Sequence, residues 1–150
     1  PSGAAAVALA LTAVLQPGDE LLMVDSTYGP TRLFCDEELT RRGVTTTYYD
    51  PLLTPAAVAE LVSSRTRALF MESPGSLTFE VQDVPGLCAM AHDRGLLTLL
   101  DNTWATPLLF PAISQGVDLS ILAGTKYIAG HSDVLIGSVT ASPALWELLK

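Results

Sequence analysis

Short apolar runs alternate with longer stretches in which apolar residues recur at helical spacing, so the chain reads as helix and strand in turn. Ala4 to Leu15 is rich in Ala and Leu and predicts a helix, opened by Ser2-Gly3 and stopped at Pro17-Gly18. Leu21-Leu22-Met23-Val24 has strand length and runs into Asp25. Thr31 to Arg42 predicts a helix with apolar Leu33, Phe34 and Leu39, and with Gly43 at C′. Val44 to Tyr49, β-branched and aromatic, predicts a strand. Thr54 to Ser63 predicts a helix with Thr54 at the N-cap and Pro55 at N1. Ala68 to Met71 predicts a strand, and Val84 to Arg94 a helix closed by Gly95. Leu96 to Leu100, ending at Asp101, Leu119 to Ala123 and Val134 to Thr140 predict three further strands, and Pro143 to Lys150 the start of a helix.

Most of these strands are apolar throughout rather than alternating. That pattern implies burial on both faces, as in a parallel sheet covered by helices. The expected fold class is therefore α/β with a mostly parallel sheet. No repeat or linker divides the chain, and its length allows one domain. In open sheets of this kind ligands sit beyond the carboxyl ends of the strands. Four strand ends lead into Asp25-Ser26-Thr27-Tyr28-Gly29, Glu72-Ser73-Pro74-Gly75-Ser76, Asp101-Asn102-Thr103-Trp104 and Gly124-Thr125-Lys126-Tyr127. One rim would then carry an aromatic ring, a carboxylate, a hydroxyl and a lysine. Ser2-Gly3-Ala4 adds a helix N-terminus whose free N–H groups suit a phosphate.

Charge narrows the partners. The chain has 8 Lys+Arg against 16 Asp+Glu, a net −8, and lacks the clustered cations of a nucleic-acid surface. A small anion held by a few local donors stays open. Cys35 and Cys88 form neither a disulfide framework nor a CxxC pair, which argues against a metal site and favours a reduced, cytoplasmic setting. Gly3 to Leu15 is too short to span a bilayer, so no membrane partner is expected. The chain begins with Pro1 rather than Met and ends within a helical pattern, and is expected to be an excerpt of a longer protein.

The rim residues match the needs of pyridoxal phosphate. That cofactor needs a lysine to bond its aldehyde, a carboxylate to keep its ring nitrogen protonated, an aromatic ring against its face, and N–H groups and hydroxyls for its phosphate. Lys126, Asp101, Tyr28 and the Gly3, Ala4 and Thr125 group fit those roles. Residue type alone leaves other readings open: Lys126 as a surface lysine, Asp101 as an N-cap, Tyr28 as a core ring, or the segment as a non-covalent nucleotide- or phosphate-binding module. The last lacks a GxGxxG and a Walker lysine. His131 is expected to shape the turn after Lys126, His92 to be solvated, both cysteines to be inert, and Trp104 either to line the cleft or to pack.

Five motifs go further: Ser2-Gly3-Ala4-Ala5, Tyr28-Gly29-Pro30-Thr31, Glu72-Ser73-Pro74, Asp101-Asn102-Thr103-Trp104-Ala105, and Thr125-Lys126-Tyr127-Ile128-Ala129-Gly130-His131-Ser132-Asp133. In this order they resemble the cystathionine lyase/synthase (Cys/Met metabolism) family of fold-type-I pyridoxal-phosphate enzymes over nearly the whole chain. Glu72 to Thr78, Val84-Pro85 and Trp104 are most similar to the bacterial cystathionine β-lyases.

The resemblance implies that residues 1–150 are the central part of a cofactor-binding large domain, with an N-terminal segment and a C-terminal domain elsewhere in the parent protein. It implies Lys126 as the cofactor lysine and α-proton base, Asp101 as the ring-nitrogen partner, and Tyr28 as the stacking ring that also assists proton transfer. Gly3, Ala4 and Thr125 are the implied phosphate donors. Ser76 stands where many relatives carry Asn, and Ala123 where many carry a phosphate-binding Ser. The implied activity is β-elimination on L-cystathionine giving homocysteine, pyruvate and ammonia. A γ-acting reaction or cysteine desulfhydration is the alternative. The implied assembly is a homodimer or homotetramer with shared sites, so the 150 residues alone are expected to turn over weakly or not at all.

Overall fold

The computed structural model describes residues 1–149. Its strands are β1 (Glu20–Val24), β2 (Thr45–Tyr49), β3 (Thr66–Glu72), β4 (Leu97–Asp101), β5 (Leu119–Leu122) and β6 (Ser138–Ala141). They form one six-stranded sheet in the order β2-β1-β3-β4-β5-β6. The first five are parallel, and β6 runs antiparallel to β5. The helices are α1 (Gly3–Val14), α2 (Gly29–Phe34), α3 (Pro55–Ala59), α4 (Val84–Asp93) and α5 (Thr106–Leu109).

Side chains alternate across each strand, so each apolar strand feeds two cores. Leu21 and Met23 join Leu11 of α1, Phe70, Leu99 and Leu119 on one face. Leu22 and Val24 join Leu69, Met71, Leu100 and Leu87 of α4 on the other. β1 and β5 are buried along their whole length. β2 lies at the sheet edge and is partly exposed, which suits its run of threonines. At the amino end of the sheet, buried Glu20 accepts hydrogen bonds from Thr47 (2.6 Å), Thr66 (3.1 Å) and Ser63. Burial pushes its carboxyl up, but those bonds and the Arg65 charge outweigh it and hold the group below its usual value.

Several elements differ from the pattern reading. The helix expected from Thr31 begins at Gly29 and continues through Cys35–Leu39 as a π-helix, which the Thr40 hydroxyl closes by donating to the Cys35 carbonyl (3.2 Å). The helix expected over 54–63 stops at Ala59, where shorter bonds from Leu61 to Val58 and from Val62 to Ala59 tighten the chain toward β3. Of the strand expected over Val134–Thr140, only the part from Ser138 forms, and it extends to Ala141. Ile136 is bonded instead to Thr125: Thr125 N–H donates to its carbonyl (3.2 Å), and its own N–H donates to Thr125 Oγ1 (3.0 Å). The terminal helix is a 3₁₀ turn over Trp146–Leu149, and Lys150 lies outside the described residues. α5 and a 3₁₀ turn at Ala112–Gln115 were not signalled, because Pro107 and Pro111 interrupt any helical period there.

Candidate active site

Since β1, β3, β4 and β5 are consecutive neighbours and parallel, their carboxyl ends share one edge of the sheet. The turn after β5 carries Lys126, fixed by its N–H to the Ala123 carbonyl (3.1 Å) and by Gly130 N–H to its own carbonyl (2.8 Å). The loop after β1 carries Tyr28 at the N-cap of α2. Lys126 Nζ lies over the Tyr28 ring, 5.8 Å from its centroid, and the ring is 45% exposed. Two residues 98 positions apart in sequence (126 − 28) thus meet across the sheet edge.

Asp101 is the last residue of β4. Its Oδ1 accepts from Thr103 Oγ1 (2.5 Å) and Thr103 N–H (3.0 Å), and Thr103 Oγ1 in turn accepts from Ala123 N–H (2.9 Å). One hydroxyl therefore joins the ends of β4 and β5. Burial pushes the Asp101 carboxyl up, while the Thr103 bonds and the Lys126 charge pull it back. Lys126, Tyr28 and Asp101 belong to one electrostatic cluster.

The N-terminus of α1 closes the same edge. Ser2 Oγ caps Ala5 N–H (3.1 Å), and the preceding N–H groups of Gly3 and Ala4 have no partner within the helix. A Cβ at Gly3 would lie 2.5 Å from Ala123 Cβ, and one at Gly137 would lie 2.0 Å from the Ser2 carbonyl oxygen. Only glycines let the backbone of α1 pass between the end of β5 and the segment before β6. The Thr125 hydroxyl is engaged with Ile136, donating to its carbonyl (3.2 Å) as well as accepting its N–H.

Glu72 ends β3 and sits in register with Asp101, so two carboxyls are neighbours. Glu72 is buried, at 4% exposure. Its Oε2 accepts from Tyr28 N–H (2.7 Å) and Thr27 Oγ1 (3.2 Å), and its Oε1 from Ser76 Oγ (2.5 Å). Ser76 is thereby turned inward onto Glu72. Burial, then the Asp101 charge, push the Glu72 carboxyl up to about 7, against the pull of those bonds. A carboxyl raised in the folded state stabilises fully below its unfolded value, 4.5, and that contribution fades as pH rises through about 7. Glu72→Gln is therefore expected to gain stability over the native chain between about pH 5 and about pH 8.5, by up to about 3 kcal/mol, read from urea midpoints. A difference that does not change with pH would refute the raised carboxyl.

The loop beyond Glu72 takes positive φ at Leu77 (67°) and Phe79 (63°), a conformation that side chains seldom adopt. It brings Phe79 edge-on to Trp104 (centroids 5.2 Å, 78°), and Trp104 faces Tyr127 at 6.5 Å. Trp104 both packs and remains 42% exposed beside Lys126's turn. His131 Nδ1 meets the Ala129 carbonyl at 2.9 Å within that turn. His92 is exposed, as expected, and is also bonded to Asp118 (2.9 Å), which accepts from Thr98 and ties α4 to the sheet. Cys35 and Cys88 are buried free thiols, pushed by burial to about 12 and about 11. Among the described residues no group of three or more His, Cys, Asp or Glu could hold a metal ion, and no helix is long and apolar enough to cross a membrane.

Glu72 and Thr103 had no role in the sequence reading. Two acidic residues ending adjacent apolar strands were the available signal for Glu72. Nothing in the sequence foretold the Thr103 bridge.

A family profile described as "Cys/Met metabolism PLP-dependent enzyme" matches residues 1–148. The chain belongs to this family. The Escherichia coli (strain K12) protein named cystathionine beta-lyase MetC is 42% identical over 152 residues, covering 100% of this chain and 38% of its own length. A Wolbachia pipientis wMel protein named L-alanine/L-glutamate racemase is 38% identical over 149 residues, covering 99% of this chain and 36% of its own. The structure is similar to that of cystathionine gamma-lyase from Lactobacillus plantarum complexed with L-serine, with TM-score 0.94 and 31% identity over 99% of this chain and 39% of that one. The chain thus spans well under half the length of each.

The residues of this Cys/Met metabolism chain fit the cofactor in the family description. An amine, an aromatic ring and a half-buried carboxylate converge, and the N-terminus of α1 lies against the end of β5, an approach that the missing Cβ of Gly3 allows beside Ala123.

Proposed function

We propose that the protein carrying this sequence is a pyridoxal-phosphate-dependent carbon–sulfur β-lyase acting on L-cystathionine, and that these residues are the central part of its cofactor-binding domain. The convergence of Lys126, Tyr28 and Asp101 at one sheet edge carries the reading. When bound, pyridoxal phosphate supplies an electron sink for the pair left at the substrate's α-carbon. Lys126 would hold its aldehyde carbon, Asp101 its ring nitrogen, Tyr28 one ring face, and the Gly3 and Ala4 N–H groups its phosphate.

The chain's own chemistry follows from these placements. Lys126 Nζ, once free, takes the α-proton, and loss of that proton at Cα allows the sulfur at Cβ to leave. Lys126 then gives that proton to the departing sulfur, which leaves as a thiol. Tyr28 lies within reach of that amine and keeps water from one face. Asp101, with Oδ1 occupied by Thr103, presents its other oxygen as a fixed negative charge. Thr125, the further phosphate donor that the resemblance implies, gives both its N–H and its hydroxyl proton to the Ile136 carbonyl, so it would donate to a phosphate only by releasing Ile136. Ser76 and Trp104 flank the site, Ser76 through Glu72 and Trp104 through its exposed face.

The β-lyase names of relatives such as the E. coli protein, together with the Ser76 form of the loop, support β- over γ-cleavage. The Lactobacillus plantarum structure, named as a gamma-lyase, keeps the γ reading as the second one. Product analysis of the whole protein on L-cystathionine separates them. Pyruvate with homocysteine is expected; 2-oxobutyrate with cysteine would replace the β reading. Leu108 (92%) and Leu109 (82%), exposed at the end of α5, support a covering of that face by further chain or a second subunit, as in the homodimer or homotetramer that the resemblance implies.

A further inference from the structure

We propose that Glu72 is a positioning residue, one buried carboxyl that ties the loop carrying Tyr28 to the loop carrying Ser76 and so sets where the Tyr28 ring stands. Tyr28 is placed by its backbone. Its N–H donates to Glu72 Oε2 (2.7 Å), and its carbonyl accepts from Thr31 (2.9 Å) and Arg32 (3.1 Å) at the start of α2. Tyr28 is 45% exposed as a residue, so packing contributes little to fixing where its ring stands. On the opposite oxygen, Glu72 accepts from Ser76 Oγ, while Ser76 N–H donates to the Ser26 carbonyl (2.8 Å). The loops after β1 and β3 are thus bonded to each other and to the same carboxyl, at the strand end beside Asp101.

Fold stability alone does not account for this residue. Glu20, the other buried glutamate of the sheet, meets hydroxyls and a nearby arginine, and its carboxylate is favoured. Glu72 instead stands next to a second carboxyl, an arrangement that opposes folding when both are charged. A carboxyl kept in such a place, with acceptors aimed at two loops of the site, is explained by what it holds. At 4% exposure Glu72 has no path to a substrate, so it acts through Tyr28.

The test uses Glu72→Ala, Glu72→Asp and Glu72→Gln in the whole protein. In Glu72→Ala, amide exchange at residues 25–30 and 73–80 of the cofactor-free protein is expected to rise by about tenfold in both segments together, as one lost charged hydrogen-bond acceptor implies. The apparent Kd for pyridoxal phosphate is expected to weaken by about tenfold. Glu72→Gln keeps an acceptor for Tyr28 N–H and should restore both readings to within about twofold. If Glu72→Ala does not fold, Glu72→Asp, one methylene too short to reach both loops, takes its place with the same expectation. Unchanged exchange at residues 25–30, or a folded Glu72→Gln as loose as Glu72→Ala, would overturn the proposal. The affinity reading rests on the proposed function, whereas the exchange reading does not. Coupled loops in a protein that binds no pyridoxal phosphate would therefore sink the cofactor assignment and leave the positioning role standing.

Discussion

Replacing Lys126 by Ala is expected to lower release of keto acid from L-cystathionine by about 10²–10⁴-fold while leaving the fold intact. The two halves of that expectation have separate grounds. The side chain is exposed, lies over the Tyr28 ring and favours the Asp101 carboxylate only from a solvated position, so its removal should cost no more than about 1 kcal/mol of stability. The turn is held by backbone bonds, Lys126 N–H to Ala123 and Gly130 N–H to Lys126, which alanine keeps. The chemistry has no such substitute. His131 is bonded at 2.9 Å to the Ala129 carbonyl and Tyr28 carries a phenol, so neither replaces an aliphatic amine. Borohydride treatment followed by peptide mass analysis gives the second reading: label on the peptide containing residue 126 in the native protein, none in the variant. Keto-acid release from Lys126→Ala within tenfold of native would remove this lysine from the mechanism.

How far the sequence led is best seen strand by strand. β1, β3, β4 and β5 were legible because their residues are apolar on both faces, and such runs fit only a covered parallel sheet. Once the sheet is parallel, the residue after each strand must lie on one edge, so Tyr28, Asp101 and Lys126 could be placed together before any coordinates. Elements set by tertiary bonds were not legible. The segment 134–137 is β-branched and apolar enough for a strand, yet Thr125 takes the Ile136 backbone and Gly137 lies against Ser2. The π-helix at Cys35–Leu39 depends on a Thr40 hydroxyl bond reaching back five residues. The same division runs through the site. Residues that face a ligand carry distinctive types and spacing. Residues that face other protein groups, Glu72 and Thr103, declare themselves only through partners 44 positions (72 − 28) and 20 positions (123 − 103) away.

Asp101→Asn is expected to separate function from stability in opposite directions. The amide oxygen still accepts from Thr103 N–H and Thr103 Oγ1, so the bridge through Thr103 to Ala123 N–H survives. What disappears is a charge. Asp101 is half-buried beside Glu72, and desolvation together with that second carboxyl disfavours ionisation at this edge of the sheet. Neutralising position 101 relieves the pair, so the cofactor-free variant should be at least as stable as the native protein above about pH 7, and the Glu72 carboxyl should ionise more readily. Catalysis should move the other way. A preorganised charge aimed at a developing opposite charge is worth about 10²–10³ in kcat, and the amide supplies only a dipole. The fall should lie mainly in kcat, because the substrate's own contacts are elsewhere. Thermal midpoints of the cofactor-free protein and steady-state kinetics of the loaded one, taken on the same preparations, check both signs. A variant that loses stability and activity together would mean that Asp101 serves the fold through Thr103. A variant that keeps full kcat would mean that its charge has no part in the reaction.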